Sequence, residues 1–157
     1  MAINLNNTTP AAPTGSTNVT WQEDVSGNVS AYVTTSAELT GSNIDLTAQG
    51  ANIGSTNLVA SPVAGLYRIS AYLIVTRAAT TSSTLPSLTI GWTDQNSGVA
   101  QTLVLTPTNS GNLTTTYQQA TGFISTNTSA ITYSTASFAS SGGTSMQYAL
   151  HIRVEKV

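Results

Sequence analysis

The chain of 157 residues contains no cysteine, which excludes disulfides, zinc–thiolate sites and a cysteine nucleophile. Charged residues make up only 6% of the chain, against about 25% in a typical soluble domain. With four Lys and Arg residues in total, it lacks the basic cluster that a nucleic-acid backbone requires, so we expect no nucleic-acid partner. No apolar run approaches the roughly 20 residues of a membrane-spanning helix, so we expect no membrane insertion.

The N-terminal residues 1–7 lack the charged start and the apolar run of a signal peptide. We therefore expect the protein to be made in the cytoplasm and to leave the cell only by lysis or by assembly into something larger.

Threonine and serine are abundant, at 48 of 157 residues. Hydrophobic residues are 39% of the chain and the net charge is −2, which argues against disorder, since disorder usually needs low hydrophobicity with high net charge. Threonine packs well on pleated surfaces, so this composition favours a stable all-β protein.

Two stretches alternate between apolar and polar residues with the period of a β-strand. In residues 65–76 the apolar side is formed by Tyr67, Ile69, Ala71, Leu73 and Val75. In the final stretch it is formed by Met146, Tyr148, Leu150, Ile152 and Val154. The opposite sides are mixed rather than fully polar, and we predict that both strands lie in one sheet, with their mixed sides meeting copies of themselves around an axis. This suspected subunit interface consists of Arg68, Tyr72, Ile74, His151 and Arg153.

About eight strands with turn signals between them and no helical periodicity predict a β-sandwich or barrel with Greek-key or jelly-roll connections. Residues 1–15, with two prolines and no periodicity, predict an extended N-terminal arm. Residues 16–157 then form the β-sandwich domain, best defined over 60–157. The polar stretches 78–83, 107–111 and 139–144 are predicted to be loops, the last of them a flexible connector.

Catalytic chemistry has little support in the sequence. The only histidine is His151, and no Gly-x-Ser-x-Gly elbow accompanies it. Asp24 and Asp94 stand in turn sequences with a faint calcium-loop spacing, but neither has the downstream acidic ligand. We therefore predict no catalytic residue, no metal site and no cofactor, and a surface or interface position for His151, where it could make the assembly sensitive to pH.

Aromatic residues leave a second interpretation open, because exposed rings can stack on sugars. The candidates for core, interface or glycan contacts are Trp21, Tyr32, Trp92, Tyr117 and Tyr133. A carbohydrate-binding module would show exposed aromatics and amides gathered in one set of loops.

Two segments resemble known families. The second half of the chain, from residues 64–70 (Ala-Gly-Leu-Tyr-Arg-Ile-Ser) to residues 146–152 (Met-Gln-Tyr-Ala-Leu-His-Ile), resembles the C1q/TNF-like jelly roll. This resemblance implies that both strands lie in the inner sheet and that three subunits pack around a threefold axis. Residues 9–15 (Thr-Pro-Ala-Ala-Pro-Thr-Gly) with the segments 19–22 and 26–33 resemble parts of bacteriophage tail-fibre and other structural proteins.

Together the two resemblances imply a non-enzymatic virion protein of a bacteriophage, made in the host cytoplasm. It would be a homotrimeric surface knob, such as a head decoration, a fibre head or a tail-spike component. The arm of residues 1–15 would contact other virion proteins. The alternative function is a carbohydrate-binding module that recognises host-surface glycans.

Overall fold

The structure is a computed structural model that describes residues 43–157 together with two earlier strands. The arm predicted for residues 1–15 and the turn at 24–28 lie outside the described residues. All described regular structure is β. The thirteen strands are β1 (Asn18–Glu23), β2 (Val29–Thr34), β3 (Ile44–Gln49), β4 (Thr56–Val59), β5 (Gly65–Arg77), β6 (Ser82–Leu85), β7 (Ser87–Thr93), β8 (Ala100–Thr106), β9 (Asn109–Ser110), β10 (Tyr117–Thr126), β11 (Ile131–Ala136), β12 (Ala139–Ser141) and β13 (Gln147–Lys156).

Strands β1 and β2 form an antiparallel pair of their own, with Asn18 opposite Thr34 and Glu23 opposite Val29. Both strands were predicted from the sequence and are confirmed. They belong to a compact unit separate from the one that contains β3 to β13. The predicted domain start at residue 16 stays a prediction.

Eight of the remaining strands form two four-stranded antiparallel sheets. Sheet I has the order β10-β5-β13-β3, and sheet II has the order β4-β11-β7-β8. Pairing is nested along the chain: β7 pairs with β8, β5 with β10, β4 with β11 and β3 with β13. A long hairpin rolled up in this way is a jelly roll. Residues 43–157 therefore form an all-β jelly-roll sandwich, the fold class that the sequence predicts.

The core lies between the inner faces of the two sheets. Tyr67, Leu73, Leu150 and Ile152 from sheet I are each at most 1% exposed, and Ile90 from sheet II is fully buried. These residues occupy alternate positions of their strands, because successive side chains of a strand point to opposite faces. The apolar sides predicted for residues 65–76 and 146–154 are thus confirmed as core faces.

The remaining three strands form a third, small sheet of order β12-β6-β9. Its strands fall in stretches that were predicted to be loops, and that prediction is wrong at Ser82–Ser83, Asn109–Ser110 and Ala139–Ser141. The strands are short and rich in serine and threonine, so they lack the apolar alternation on which a strand prediction depends.

Strand β3 is the edge of sheet I and contains a β-bulge. Its pairing with β13 shifts between Tyr148, which faces Gln49, and Leu150, which faces Leu46. Ala48 is the extra residue of the bulge. It adopts the left-handed conformation, at φ 58°, which residues other than glycine rarely adopt. The bulge fixes which residues of β3 face outward alongside β13.

None of the described residues form a helix long and apolar enough to cross a membrane.

Candidate functional site

The outer faces of the two sheets differ in chemistry. The outer face of sheet II carries mostly small hydroxyl side chains, such as Thr89, Thr132 and Ser134, around one exposed valine, Val104. The outer face of sheet I, which we call the outer sheet face, carries aromatic, aliphatic and charged side chains. Among them are Asp45, Arg68, Ser70, Tyr72, Ile74, Tyr117, Gln119, Thr121, Phe123, His151, Arg153 and Glu155.

All five residues predicted for the interface lie on the outer sheet face. Strands β5 and β13 lie in one sheet, as predicted, and the structure shows that they pair directly. Their register places His151 opposite Tyr72 and Arg153 opposite Ser70. Arg68 lies opposite Glu155, and Ile74 lies one row beyond Tyr72. The structure therefore brings the predicted residues together on one surface, while the contact between copies stays a prediction.

A three-residue polar cluster occupies one side of this face. Oδ1 of Asp45 accepts hydrogen bonds from Nδ1 of His151 at 2.6 Å and from a guanidinium nitrogen of Arg153 at 3.0 Å. These two bonds hold the pKa of the Asp45 carboxyl below its usual value of 3.8, and the bond from His151 contributes most to the lowering. Because a carboxylate only accepts hydrogen bonds, Nδ1 of His151 carries a proton and Nε2 is the ring nitrogen that can gain one.

The charges on the outer sheet face balance within one copy. Arg68 forms an ion pair with Glu155 across β5 and β13, and Asp45 pairs with Arg153 across β3 and β13. Four of the seven formally charged side chains in residues 43–157 are thus on this face, and their sum is zero. A face without net charge can meet a copy of itself without long-range repulsion.

Aromatic side chains of β10 complete the surface. The ring of Tyr117 lies 5.7 Å from that of Tyr72, which lies 6.4 Å from the imidazole of His151. Tyr117 is 52% exposed and Phe123 is 59% exposed. The sequence indicates Tyr117 only as an isolated aromatic and does not single out Asp45 or Phe123. The alternation of Tyr117, Gln119, Thr121 and Phe123 along β10 was the available signal.

A shallow depression of about 570 Å³ lies in the middle of this face. The outward side chains that line it are Ser70, Tyr72, Gln119, Thr121, His151 and Arg153. The hydroxyls of Ser70 and Thr121 lie 3.0 Å apart, within hydrogen-bonding distance. The depression thus combines an aromatic ring with amide, hydroxyl and cationic groups, a combination suited to binding a polar molecule with an apolar side.

The contact between Asp45 and His151 resembles part of a Ser-His-Asp triad, in which the acid holds Nδ1 and Nε2 activates a hydroxyl. Among the hydrogen bonds of the described residues, none joins Nε2 of His151 to a hydroxyl group. The same carboxylate oxygen is also shared with Arg153. The described residues therefore assemble no activated nucleophile around this histidine. Within the described part of the chain, no three His, Cys, Asp or Glu side chains come together as metal ligands.

The other aromatic candidates lie away from this surface. Tyr133 is 4% exposed in the core, and Trp92 packs half-buried against it. The side chains of Trp21 and Tyr32 lie outside the described residues.

No protein-family model matches the chain, and no curated protein sequence matches it. Two solved structures are similar at a TM-score of 0.38. One is the CBM22-1–GH10 part of the endo-1,4-beta-D-xylanase Xyn10B of Clostridium thermocellum, complexed with xylohexaose, with 13% identity over 90% of this chain. The chain covers only 24% of that protein. The other is the CBM22-1 xylan-binding domain of Paenibacillus barcinonensis Xyn10C, with 16% identity over 90% of this chain and 82% of that one. Likeness at this level assigns no ligand to the chain.

Proposed function

We propose that the protein is a non-enzymatic structural subunit that assembles as a homotrimer through the outer sheet face. The observation that supports this most directly is the contrast between the two outer faces of the sandwich. One is a hydroxyl surface with a single exposed valine, whereas the other carries Tyr72, Ile74, Tyr117 and Phe123 among charges that cancel. Apolar patches rimmed by polar groups are typical of protein contact surfaces.

Charge balance favours a second copy as the occupant of this face. Around a symmetry axis, identical charges approach one another, so an unbalanced face would repel its own copies. Here Arg68 is paired with Glu155, and Arg153 with Asp45, inside each copy. The threefold symmetry is carried over from the C1q/TNF-like resemblance of the segments that form β5 and β13.

The assembly would serve as a surface knob of a bacteriophage particle. This part of the proposal depends on the resemblance of residues 9–15, 19–22 and 26–33 to phage structural proteins and on the predicted arm of residues 1–15, which would contact other virion proteins. If the gene lies among portal, tail or capsid genes, this placement is supported. A gene surrounded by unrelated metabolic genes would contradict it.

Light scattering coupled to size-exclusion chromatography tests the assembly. At micromolar concentration the full chain is expected to have three times the mass of one 16.1 kDa copy. A clean monomer at that concentration would overturn the homotrimer.

A carbohydrate-binding module is the second candidate, favoured by the depression beside Tyr72. Sugars are commonly held by an aromatic ring that stacks on their apolar side and by amides and hydroxyls that bind their edges. Gln119, Thr121 and His151 are placed to supply such contacts. The predicted loop cluster of aromatics and amides is not where this site lies, because its residues are on strands.

Both candidates occupy the same surface, so a copy that is covered in a trimer cannot also bind a sugar there. The two candidates can therefore be told apart by experiment. A monomer that binds an oligosaccharide on a glycan array, and loses binding on Tyr72→Ala substitution, would support the second candidate. Thr89→Ala, on the outer face of sheet II, is the matched control and should leave glycan binding unchanged. A trimer without glycan binding would remove the second candidate.

A further inference from the structure

We propose that a proton on His151 weakens the association of copies through the outer sheet face, so that assembly depends on pH. This inference rests on the homotrimer proposed above and adds that the pH regulates association through the same surface. The structural basis is the sharing of one carboxylate by two basic side chains.

Asp45 on β3 holds both His151 and Arg153 of β13 through a single oxygen, Oδ1. All three side chains remain between 38% and 49% exposed, so the cluster is open to solvent while the face is uncovered. One carboxylate balances one cation. Once His151 is protonated, the cluster holds two cations and one anion.

No other group near the imidazole on the described strands offsets that extra charge. From β5, His151 faces the ring of Tyr72, and Arg68 two rows away is already paired with Glu155 of β13. Beyond Tyr72, β10 contributes the uncharged side chain of Gln119. The outer sheet face therefore has a net charge of zero with a neutral imidazole and +1 with an imidazolium.

Three copies around an axis would bring three such charges together on a surface that association removes from water. Like charges that approach in a medium of reduced dielectric repel more strongly than in water, so the proton is held less well in the assembly than in the free copy. Imidazoles gain and lose protons between about pH 5 and pH 8. A group that binds protons better in the free copy shifts the equilibrium towards free copies as the pH falls.

Sedimentation equilibrium of the full chain at pH 8 and pH 5 measures the effect. The trimer is expected to dissociate more readily at pH 5, with a dissociation constant that rises by up to about 1,000-fold per pH unit, the limit for three protons per trimer. His151→Gln keeps a hydrogen-bonding side chain without a titrating ring, so this variant should associate equally at both pH values. His151→Arg carries a permanent charge and should associate weakly at both.

Asp94→Asn is the matched control, because it removes a carboxylate whose bonds are to Ser97 within the turn between β7 and β8, and its association should change between pH 8 and pH 5 as that of the unmodified chain does. Circular dichroism at pH 5 establishes that each variant stays folded. If no trimer forms at any pH, the proposed homotrimer is wrong. Two outcomes would contradict only the proposed pH dependence through His151 and leave the homotrimer standing. The first is a trimer with the same dissociation constant at both pH values, and the second is a pH response that persists in His151→Gln.

Discussion

Ile74 offers the sharpest test of what the outer sheet face does. Its side chain lies half-buried on that face, between the rows of Tyr72 and Thr76. Burying an isoleucine side chain completely contributes about 1.5–3 kcal/mol. Because part of Ile74 is already covered in the single copy, about 1 kcal/mol per copy remains to be gained when copies associate. Three copies give about 3 kcal/mol, or roughly a 150-fold change in the trimer dissociation constant.

The variant Ile74→Ser should therefore weaken the trimer by about two orders of magnitude, measured by sedimentation equilibrium over a dilution series. Val104→Ser is the matched control, since Val104 is 60% exposed on the outer face of sheet II and loses similar apolar area in a similar backbone conformation. It should leave the dissociation constant unchanged. If both variants weaken association equally, or neither does, then Ile74 does not lie in the contact and the reasoning fails.

Three further predictions concern the single copy. Ala48→Gly should raise the free energy of unfolding by about 0.5–1 kcal/mol in urea denaturation, because glycine removes the strain of a left-handed alanine; an unchanged or lower value would contradict the bulge. Leu150→Ala, at a fully buried core position, should lower it by about 2–5 kcal/mol, and a loss under about 1 kcal/mol would contradict the core assignment. Lowered pKa values of Asp45 and Asp94 mean that the folded form binds protons less readily than the unfolded one. Their contribution is therefore present above about pH 4 and is lost as the pH falls through the lowered pKa values. Urea titrations at falling pH should show a smaller acid loss in Asp94→Asn, and an acid loss equal to that of the unmodified chain would contradict the role of Asp94.

The large elements of the fold are predictable because they carry their own signal. Strands β5 and β13 alternate over ten or more residues, and one face of each had to enter a core. That alternation also fixed which side of each strand faces outward, so the five predicted interface residues could be named from the sequence and are found on one surface.

Asp45 could not be placed in the same way. Along β3 the exposure pattern alternates from Ile44 to Thr47 and then breaks at Ala48, where the bulge inserts one residue. A slip of one residue turns every side chain of a strand to the opposite face. The pairing of Asp45 with His151 therefore depends on a register that the short sequence of β3 does not encode by itself.

The short strands β6 and β12 escaped prediction for a different reason. Their pairing depends on polar contacts between chain segments far apart in sequence, such as that between the hydroxyls of Ser82 and Ser141 at 2.7 Å. Pairs of this kind have no local pattern, because serine is equally at home in loops and turns.

Hydroxyl-radical footprinting of the full chain at high and low protein concentration tests the central claim most directly. At concentrations where copies associate, Tyr117 and Phe123 should be protected, although both are more than half exposed in the single copy. Val104 on the outer face of sheet II should be labelled equally at both concentrations. If Tyr117 and Phe123 are labelled as readily in the assembled protein as in the dilute one, the outer sheet face is not the contact surface.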